Sequence, residues 1–343
     1  MIRTDPRTSP HFNWYGIHRK GASCRFADDL LERIGENASL LALSRHLPGT
    51  FLSFQTDATR MSFDVRLAAP MVHNHMTATA EGGFDLYVLE QDGWTFYDSI
   101  RPSRNDIRYH SEVRFVHRIM RAFRLYFPLY SSVEHLEILF PDGASIRRHD
   151  DEFLGRALIY GTSITQGACA SRPGLNYPSI IGRRLGLDVI NYGFSGNAFL
   201  EPSVADAINR IDDLDLIIID AEANAGPAGV LEERMGPFID RLRFHHERAM
   251  ILVLGRIPFL KEERDDDLAL RRRHLKAFQT DLIRTMDSER VAFLEGDRLL
   301  ADPRLDTTVD GIHLNDLGFH LFSENLIREI LRVFPRLSKE GIK

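Results

Sequence analysis

The chain is poor in cysteine: Cys24 and Cys169 are the only two in 343 residues. That excludes a disulfide framework, and no metal-ligand spacing accompanies them, so no metal is expected. Long hydrophobic runs are also missing. The longest apolar stretches, such as 216–219 and 250–254, are strand-length and far short of the roughly 20 residues a spanning helix needs. No membrane partner is expected. Nor is there a large excess of charge of one sign: 43 Lys and Arg against 49 Asp and Glu leave a net charge of −6. That balance favours solubility and argues against nucleic acid as a partner. The densest charged run, 261–273, mixes acid and base and reads as a solvated helix face. Internal repeats and low-complexity tracts are lacking. The opening MIRTDPRTSPHFNWYG has no apolar core of a signal peptide, so the expectation is a cytoplasmic protein.

What is present is the composition of a globular protein, 43% hydrophobic and 27% charged. Its two halves differ in texture. From 188 onward, short and nearly all-apolar runs alternate with amphipathic stretches. The runs 156–160, 188–194, 214–220, 249–254 and 291–295 suit strands of a parallel sheet covered on both faces. Helical patterns at 177–185, 203–211, 230–246, 268–286 and 317–333 separate or follow them. This alternation predicts βαβ units in a three-layer α/β/α, flavodoxin-like domain, with any active site at the C-terminal edge of the strands. Residues 1–150 read differently. Segments 50–56, 61–67 and 84–89 alternate apolar with polar or small residues, and 94–97, 123–127 and 135–140 are further short strands. Gly82-Gly83, Asp92-Gly93 and Asp142-Gly143 supply turns. These features predict an N-terminal β-sandwich, jelly-roll-like, over 1–150, ahead of an α/β domain over 151–343. A short helix is expected within 29–45.

The chemistry concentrates at two places. YGTSITQG, 160–167, follows a strand and precedes a helix-capable segment, which puts Ser163 on the strand's C-terminal edge. A serine hydroxyl is a weak nucleophile and needs a base within hydrogen-bond reach. TVDGIHLNDLGF, 308–319, offers Asp310 and His313 three residues apart on a loop before the last helix. His313 is then the candidate base and Asp310 the acid that orients it.

With these residues in view, the chain resembles the SGNH/GDSL hydrolases. GTSIT is similar to their first block and DGIH to their last. Gly196 in NYGFSGNA matches the glycine of the second block, and Asn224 in DAEANAG the asparagine of the third. The resemblance implies an oxyanion hole made by the Ser163 and Gly196 N–H groups and the Asn224 amide. Fixed donors converging on an oxyanion are what acyl transfer requires. GFDLY at 83–87 and RLYFPLY at 124–130 further resemble a subgroup in which a β-sandwich with a Gly-x-Asp-Leu-Tyr motif precedes the hydrolase domain. The resemblance implies a serine esterase for short acyl esters, foremost acetyl groups on carbohydrate, working through an acyl-serine without cofactor. An acyltransferase with a non-water acceptor, or a carbohydrate-binding module with an inactive hydrolase domain, are the alternatives. Thr162 departs from the commonest pattern, which has Asp there. Glu222 stands where many members have Gly.

Each position also has a plainer reading. Ser163 could cap the following helix, His313 could pack at the last helix, Asn224 could make an Asx turn, and Gly196 could serve only its turn. GFSGN starts like a G-x-S-x-G elbow, but its fifth residue is Asn197, which rules that out. Cys169 reads as a small, partly buried residue. Arg172, and with it Thr162, are candidate substrate contacts; for Arg172 a structural salt bridge serves equally well. Exposed sandwich strands could pair between subunits as a homo-oligomer.

Overall fold

The computed structural model describes residues 1–302, 304 and 306–337. In chain order the first half comprises β1 (Ile2–Thr4), β2 (Asn13–Tyr15), the short helices α1 (Leu31–Ile34) and α2 (Ala38–Leu43), then β3 (Phe51–Thr56) and β4 (Arg60–Leu67). After α3 (Ala78–Gly82) come β5 (Phe84–Glu90), β6 (Gly93–Ile100), β7 (Arg108–Arg114), β8 (Arg121–Tyr126), β9 (Val133–Phe140) and β10 (Ile146–Arg148). Antiparallel pairing arranges these strands into two sheets. One has the order β1-β9-β4-β7; the other runs β10-β3-β8-β5-β6, with β2 beside β3. Strand alternation drives the packing: β4 buries Met61, Phe63, Val65 and Leu67, and β9 buries Leu136, Ile138 and Phe140, in one core with Phe54, Leu86 and Phe123 of the other sheet. The result is the expected β-sandwich.

The second half opens with β11 (Gly155–Gly161) and a one-turn helix, α4 (Ser163–Gln166). There follow α5 (Tyr177–Leu185), β12 (Leu187–Gly193), α6 (Pro202–Ile208), β13 (Leu216–Asp220), α7 (Glu222–Ala225), α8 (Leu231–His245), β14 (Met250–Leu254), α9 (Asp266–Thr285), β15 (Val291–Leu294) and α10 (Asp316–Val333). The five strands are parallel in the order β12-β11-β13-β14-β15. Every residue of β12, β13 and β14 is buried, as a sheet covered on both faces demands. Asn176 starts α5 by accepting from the Ser179 N–H at 2.8 Å, and Gly186 ends it in the left-handed region at φ +68°. One layer packs Tyr177, Ile181, Phe319 and Leu326 on the sheet; the other packs Val204, Met235, Ile239 and Leu275. This is the flavodoxin-like order, and the chain reverses direction across the sheet at β11, between β12 and β13. In open α/β sheets of this kind, ligands bind outside the strand C-termini at that switch point.

The segment around α1 and α2 departs from a simple split at 150. Cys24, Phe26, Leu30, Ile34 and Leu40 bury against Ile190, Tyr192 and Val204 of the α/β core rather than in the sandwich. Arg25 enters with them, fully buried, donating to the carbonyls of Asn191 at 2.9 Å, Gly193 at 2.7 Å and Leu43 at 2.9 Å. Its guanidinium lies 4.0 Å from the Phe194 ring centroid. Among the described residues no helix is long and apolar enough to cross a membrane.

Candidate active site

Ser163 stands just past the end of β11, at the switch point of the sheet. The Thr162 hydroxyl accepts from the Ile164 N–H at 3.3 Å and so caps α4 behind it. Two glycines bring α4 tight onto the strand ends. A Cβ on Gly161 would lie 2.1 Å from Thr165 Oγ1, and one on Gly193 would lie 2.1 Å from the Gln166 nitrogen. Buried Gln166 then ties the loops together: its Nε2 donates to the Leu129 carbonyl at 3.0 Å, and its Oε1 accepts from the Ser195 N–H at 3.0 Å.

The loop before α10 is folded by its own hydrogen bonds. The Val309 N–H donates to the His313 carbonyl at 2.8 Å. Asp310 Oδ1 accepts from the N–H groups of His313 at 2.8 Å and Ile312 at 3.0 Å, while Oδ2 lies 2.7 Å from His313 Nδ1. Partial burial pushes the Asp310 carboxyl up. The His313 N–H, its ring and the Ile312 N–H outweigh that and hold it below the usual carboxylate range. An ionised Asp310 accepts a hydrogen bond from the Nδ1–H, leaving a lone pair on His313 Nε2. That nitrogen is 2.9 Å from Ser163 Oγ. The three residues chosen from sequence therefore meet in one hydrogen-bonded chain.

Gly196 and Asn224 lie on neighbouring loops. Gly196 is exposed at φ +67°, in a turn closed by the Asn197 N–H donating to the Phe194 carbonyl at 2.9 Å. A Cβ there would meet nothing within 4 Å, so glycine serves the backbone conformation and not a lack of space. Asn224 Oδ1 accepts from the Ala198 N–H at 3.2 Å. A backbone N–H can only donate, which fixes the amide orientation and turns the NH₂ away from Ala198.

Residues 155–331 match the GDSL-like Lipase/Acylhydrolase family, and residues 27–146 match the GxDLY region, the N-terminus of SGNH-hydrolase-type esterases. The chain belongs to the GDSL-like lipase/acylhydrolase family. No curated protein matches it. Among solved structures, a putative GDSL-like lipase from Bacteroides ovatus is 25% identical, with 97% of this chain and 98% of that one covered and a TM-score of 0.87. The salicylyl-acyltransferase SsfX3 from a tetracycline biosynthetic pathway is 18% identical, with coverage of 97% and 98% and a TM-score of 0.80. The acetyl xylan esterase Est2A from the rumen bacterium Butyrivibrio proteoclasticus is 12% identical, with coverage of 97% and 99% and a TM-score of 0.59. These last two likenesses are of fold.

In this GDSL-like chain, two sequence-derived substrate contacts are engaged elsewhere. Arg172 donates to Asp85 Oδ2 at 2.8 Å and to the Tyr87 hydroxyl at 2.8 Å, with its guanidinium 3.8 Å from the Phe96 ring centroid. It is the structural salt bridge, and it shows what the aspartate and tyrosine of the GxDLY motif do: they fasten the sandwich to the segment following Ser163. Thr162 is 1% exposed and serves its cap, so it does not face a substrate. Glu222, which departs from the glycine of the resembled pattern, is also buried. Its Oε2 accepts from the Arg256 N–H at 3.1 Å and from Gln279 Nε2 at 2.8 Å. It anchors α7, and with it Asn224, to the end of β14 and to α9.

The sandwich also contributes a residue that the sequence did not reveal. The exposed ring of His75 lies 5.8 Å, centroid to centroid, from that of His313. Its loop is pinned by Glu81, whose Oε1 accepts from the N–H groups of Val72 at 2.7 Å and His73 at 3.2 Å and lies 2.8 Å from His73 Nδ1. Burial pushes the Glu81 carboxyl up, but these bonds prevail and hold it below its usual range. A separate cavity of about 710 Å³ runs between α1–α2 and α6–α8, past Asn37, Glu201 and Arg234. Ser163 and His313 do not line it.

Proposed function

We propose that this protein is a serine esterase that hydrolyses short-chain acyl esters, foremost acetyl groups on carbohydrate, through an acyl-serine intermediate. The observation that carries the reading is the chain of contacts from Asp310 through His313 to Ser163, at 2.7 and 2.9 Å. Ser163 Oγ attacks the ester carbonyl carbon as its proton passes to His313 Nε2. Asp310 remains ionised and stabilises the imidazolium. The negative oxygen of the tetrahedral adduct is received by the N–H groups of Ser163 and Gly196 and by Asn224 Nδ2. His313 then returns the proton to the leaving alcohol. A water repeats the sequence on the acyl-serine and releases the carboxylic acid. These steps need no metal and no organic cofactor.

The acetyl and carbohydrate part is supported by the acetyl xylan esterase of like fold. The acyltransferase of like fold supports a second reading, in which an alcohol other than water takes the acyl group from the same Ser163 ester. The test is a p-nitrophenyl ester series from acetate to octanoate, with Ser163→Ala alongside. Turnover should be fastest on acetate, fall with chain length and drop by roughly 10⁴ to 10⁶ in the variant. Full activity of a folded Ser163→Ala protein would sink the assignment. Added alcohols that divert product from acid to new ester would favour the transferase. Sugar binding without turnover of any ester would favour the binding-module alternative.

A further inference from the structure

Three soft donor groups from distant parts of the chain converge beside Ser163. His75 comes from the sandwich loop, Cys169 from the turn after α4, and His313 from the loop before α10. One ligating atom from each lies within 4.8 Å of the other two. Zinc binds thiolate sulfur at about 2.3 Å and imidazole nitrogen at about 2.0 Å, so its ligand atoms stand roughly 3.3–3.6 Å apart. His75 is exposed, so its side chain is free to adjust toward the other two. Its Nδ1 sits 3.3 Å from Asn74 Oδ1, which leaves Nε2 as the outward nitrogen. His313 Nδ1 is held by Asp310, so its ligating atom is Nε2, and Asp310 behind it completes the carboxylate–histidine–metal arrangement common to zinc sites. Buried Cys169 is held at φ +70°, a conformation uncommon outside glycine.

We propose that His75, Cys169 and His313 bind one zinc-class divalent cation, and that its binding switches the esterase off. The proposal rests on the reading that His313 is the base for Ser163. The cation takes the Nε2 lone pairs of both histidines and the Cys169 thiolate, and the thiol proton leaves to solvent. A water fills the fourth position. Ser163 Oγ then has no acceptor for its proton. Nothing is oxidised or reduced. A thiolate with two imidazoles selects Zn²⁺, Co²⁺ or Cd²⁺ over Mg²⁺ and Ca²⁺.

The experiment titrates chelator-treated full-length protein with Zn²⁺ and, separately, Mg²⁺ during p-nitrophenyl acetate hydrolysis. The expected result is a tenfold or greater loss of rate with Zn²⁺, recovery on adding EDTA and no effect of Mg²⁺. His75→Ala and Cys169→Ala, each compared with its own metal-free rate, should need at least tenfold more Zn²⁺ for half inhibition. Binding is read independently by the thiolate-to-cobalt charge-transfer absorption with Co²⁺. That absorption should appear in the native protein and in Ser163→Ala and vanish in Cys169→Ala. Zinc inhibition that both site variants leave unchanged, or absence of the cobalt–thiolate band, overturns the site. A band accompanied by undiminished turnover at saturating cation overturns the switch. An active Ser163→Ala protein sinks the underlying esterase reading, whatever the cations do.

Discussion

Replacing Asp85 with alanine tests whether the GxDLY aspartate joins the two halves of the molecule. The carboxylate is fully buried and accepts three hydrogen bonds: from Ser99 Oγ at 2.7 Å, Arg172 Nη1 at 2.8 Å and the Gly174 N–H at 2.8 Å. Removing one partner of a buried ion pair costs about 3–5 kcal/mol. Arg172 keeps the Tyr87 hydroxyl, the Phe96 ring and a side chain 20% exposed, so its share falls near 3 kcal/mol. The Gly174 N–H, left without an acceptor, adds about 1 kcal/mol. The expected loss is therefore about 4 kcal/mol for Asp85→Ala, and about half that for Asp85→Asn, which keeps one acceptor and the volume. Urea unfolding supplies the assay. The protein's two tryptophans, Trp14 in β2 and Trp94 in β6, both lie in the sandwich, so their fluorescence follows that half while far-ultraviolet circular dichroism follows both. With a slope of about 3 kcal/mol/M, the alanine variant's fluorescence midpoint should fall by roughly 1.3 M. A shift under about 0.3 M would refute the reasoning and make Asp85 an incidental partner of Arg172.

Three further outcomes are expected. Gly193→Ala places a Cβ 2.1 Å from the Gln166 nitrogen and 2.6 Å from its Cα, which must push α4 and Ser163 off the strand; kcat should fall about 10²-fold, and a rate within twofold of the parent would show that α4 tolerates the displacement. Asn224→Ala removes the proposed oxyanion donor and strands the Ala198 N–H, so kcat should drop by roughly 10² to 10³ with KM little changed; a loss confined to KM would place Asn224 in ground-state binding instead. Burial, and after it the charge of Arg25, push the His46 imidazole down to about 3, so between there and its ordinary 6.5 the unfolded chain binds a proton that the folded one does not. Stability from this group is complete above pH 6.5 and declines as pH falls, by up to about 2 kcal/mol between pH 8 and 5, less whatever solvent contact the ring retains. His46→Gln should flatten this acid limb in thermal melts, and an unchanged slope would assign the limb to other groups.

Much of the fold was legible in the sequence because parallel strands covered on both faces must be apolar throughout. The runs LIIID and MILVL could be little else, and they are β13 and β14. β7 was not legible: of RYHSEVR only Tyr109 and Val113 are buried, and its solvent face is Arg108, His110, Glu112 and Arg114. The segment carrying Phe26, Leu30 and Leu40 misled by its position, because nothing local says that it crosses to the α/β core. The pairing of Asp310 with His313 was legible because three residues of loop suffice to bring their side chains together. His75 was not, since its approach to His313 is made only by the docking of the sandwich.

Arg172 and Glu222 show why motif reading stops short of the pocket. An arginine near a nucleophile looks the same in sequence whether its carboxylate belongs to a substrate or to Asp85, and only the burial of that partner decides. Glu222 is the reverse case, a departure from the pattern of the third block. Here the carboxylate occupies the position often given to glycine and reaches the Arg256 N–H and Gln279. The loop bearing Asn224 is therefore held from beneath by side-chain hydrogen bonds to β14 and α9, in place of close backbone packing. It follows that in this chain the placement of the proposed oxyanion amide depends on α9, a helix that contributes none of the proposed catalytic residues.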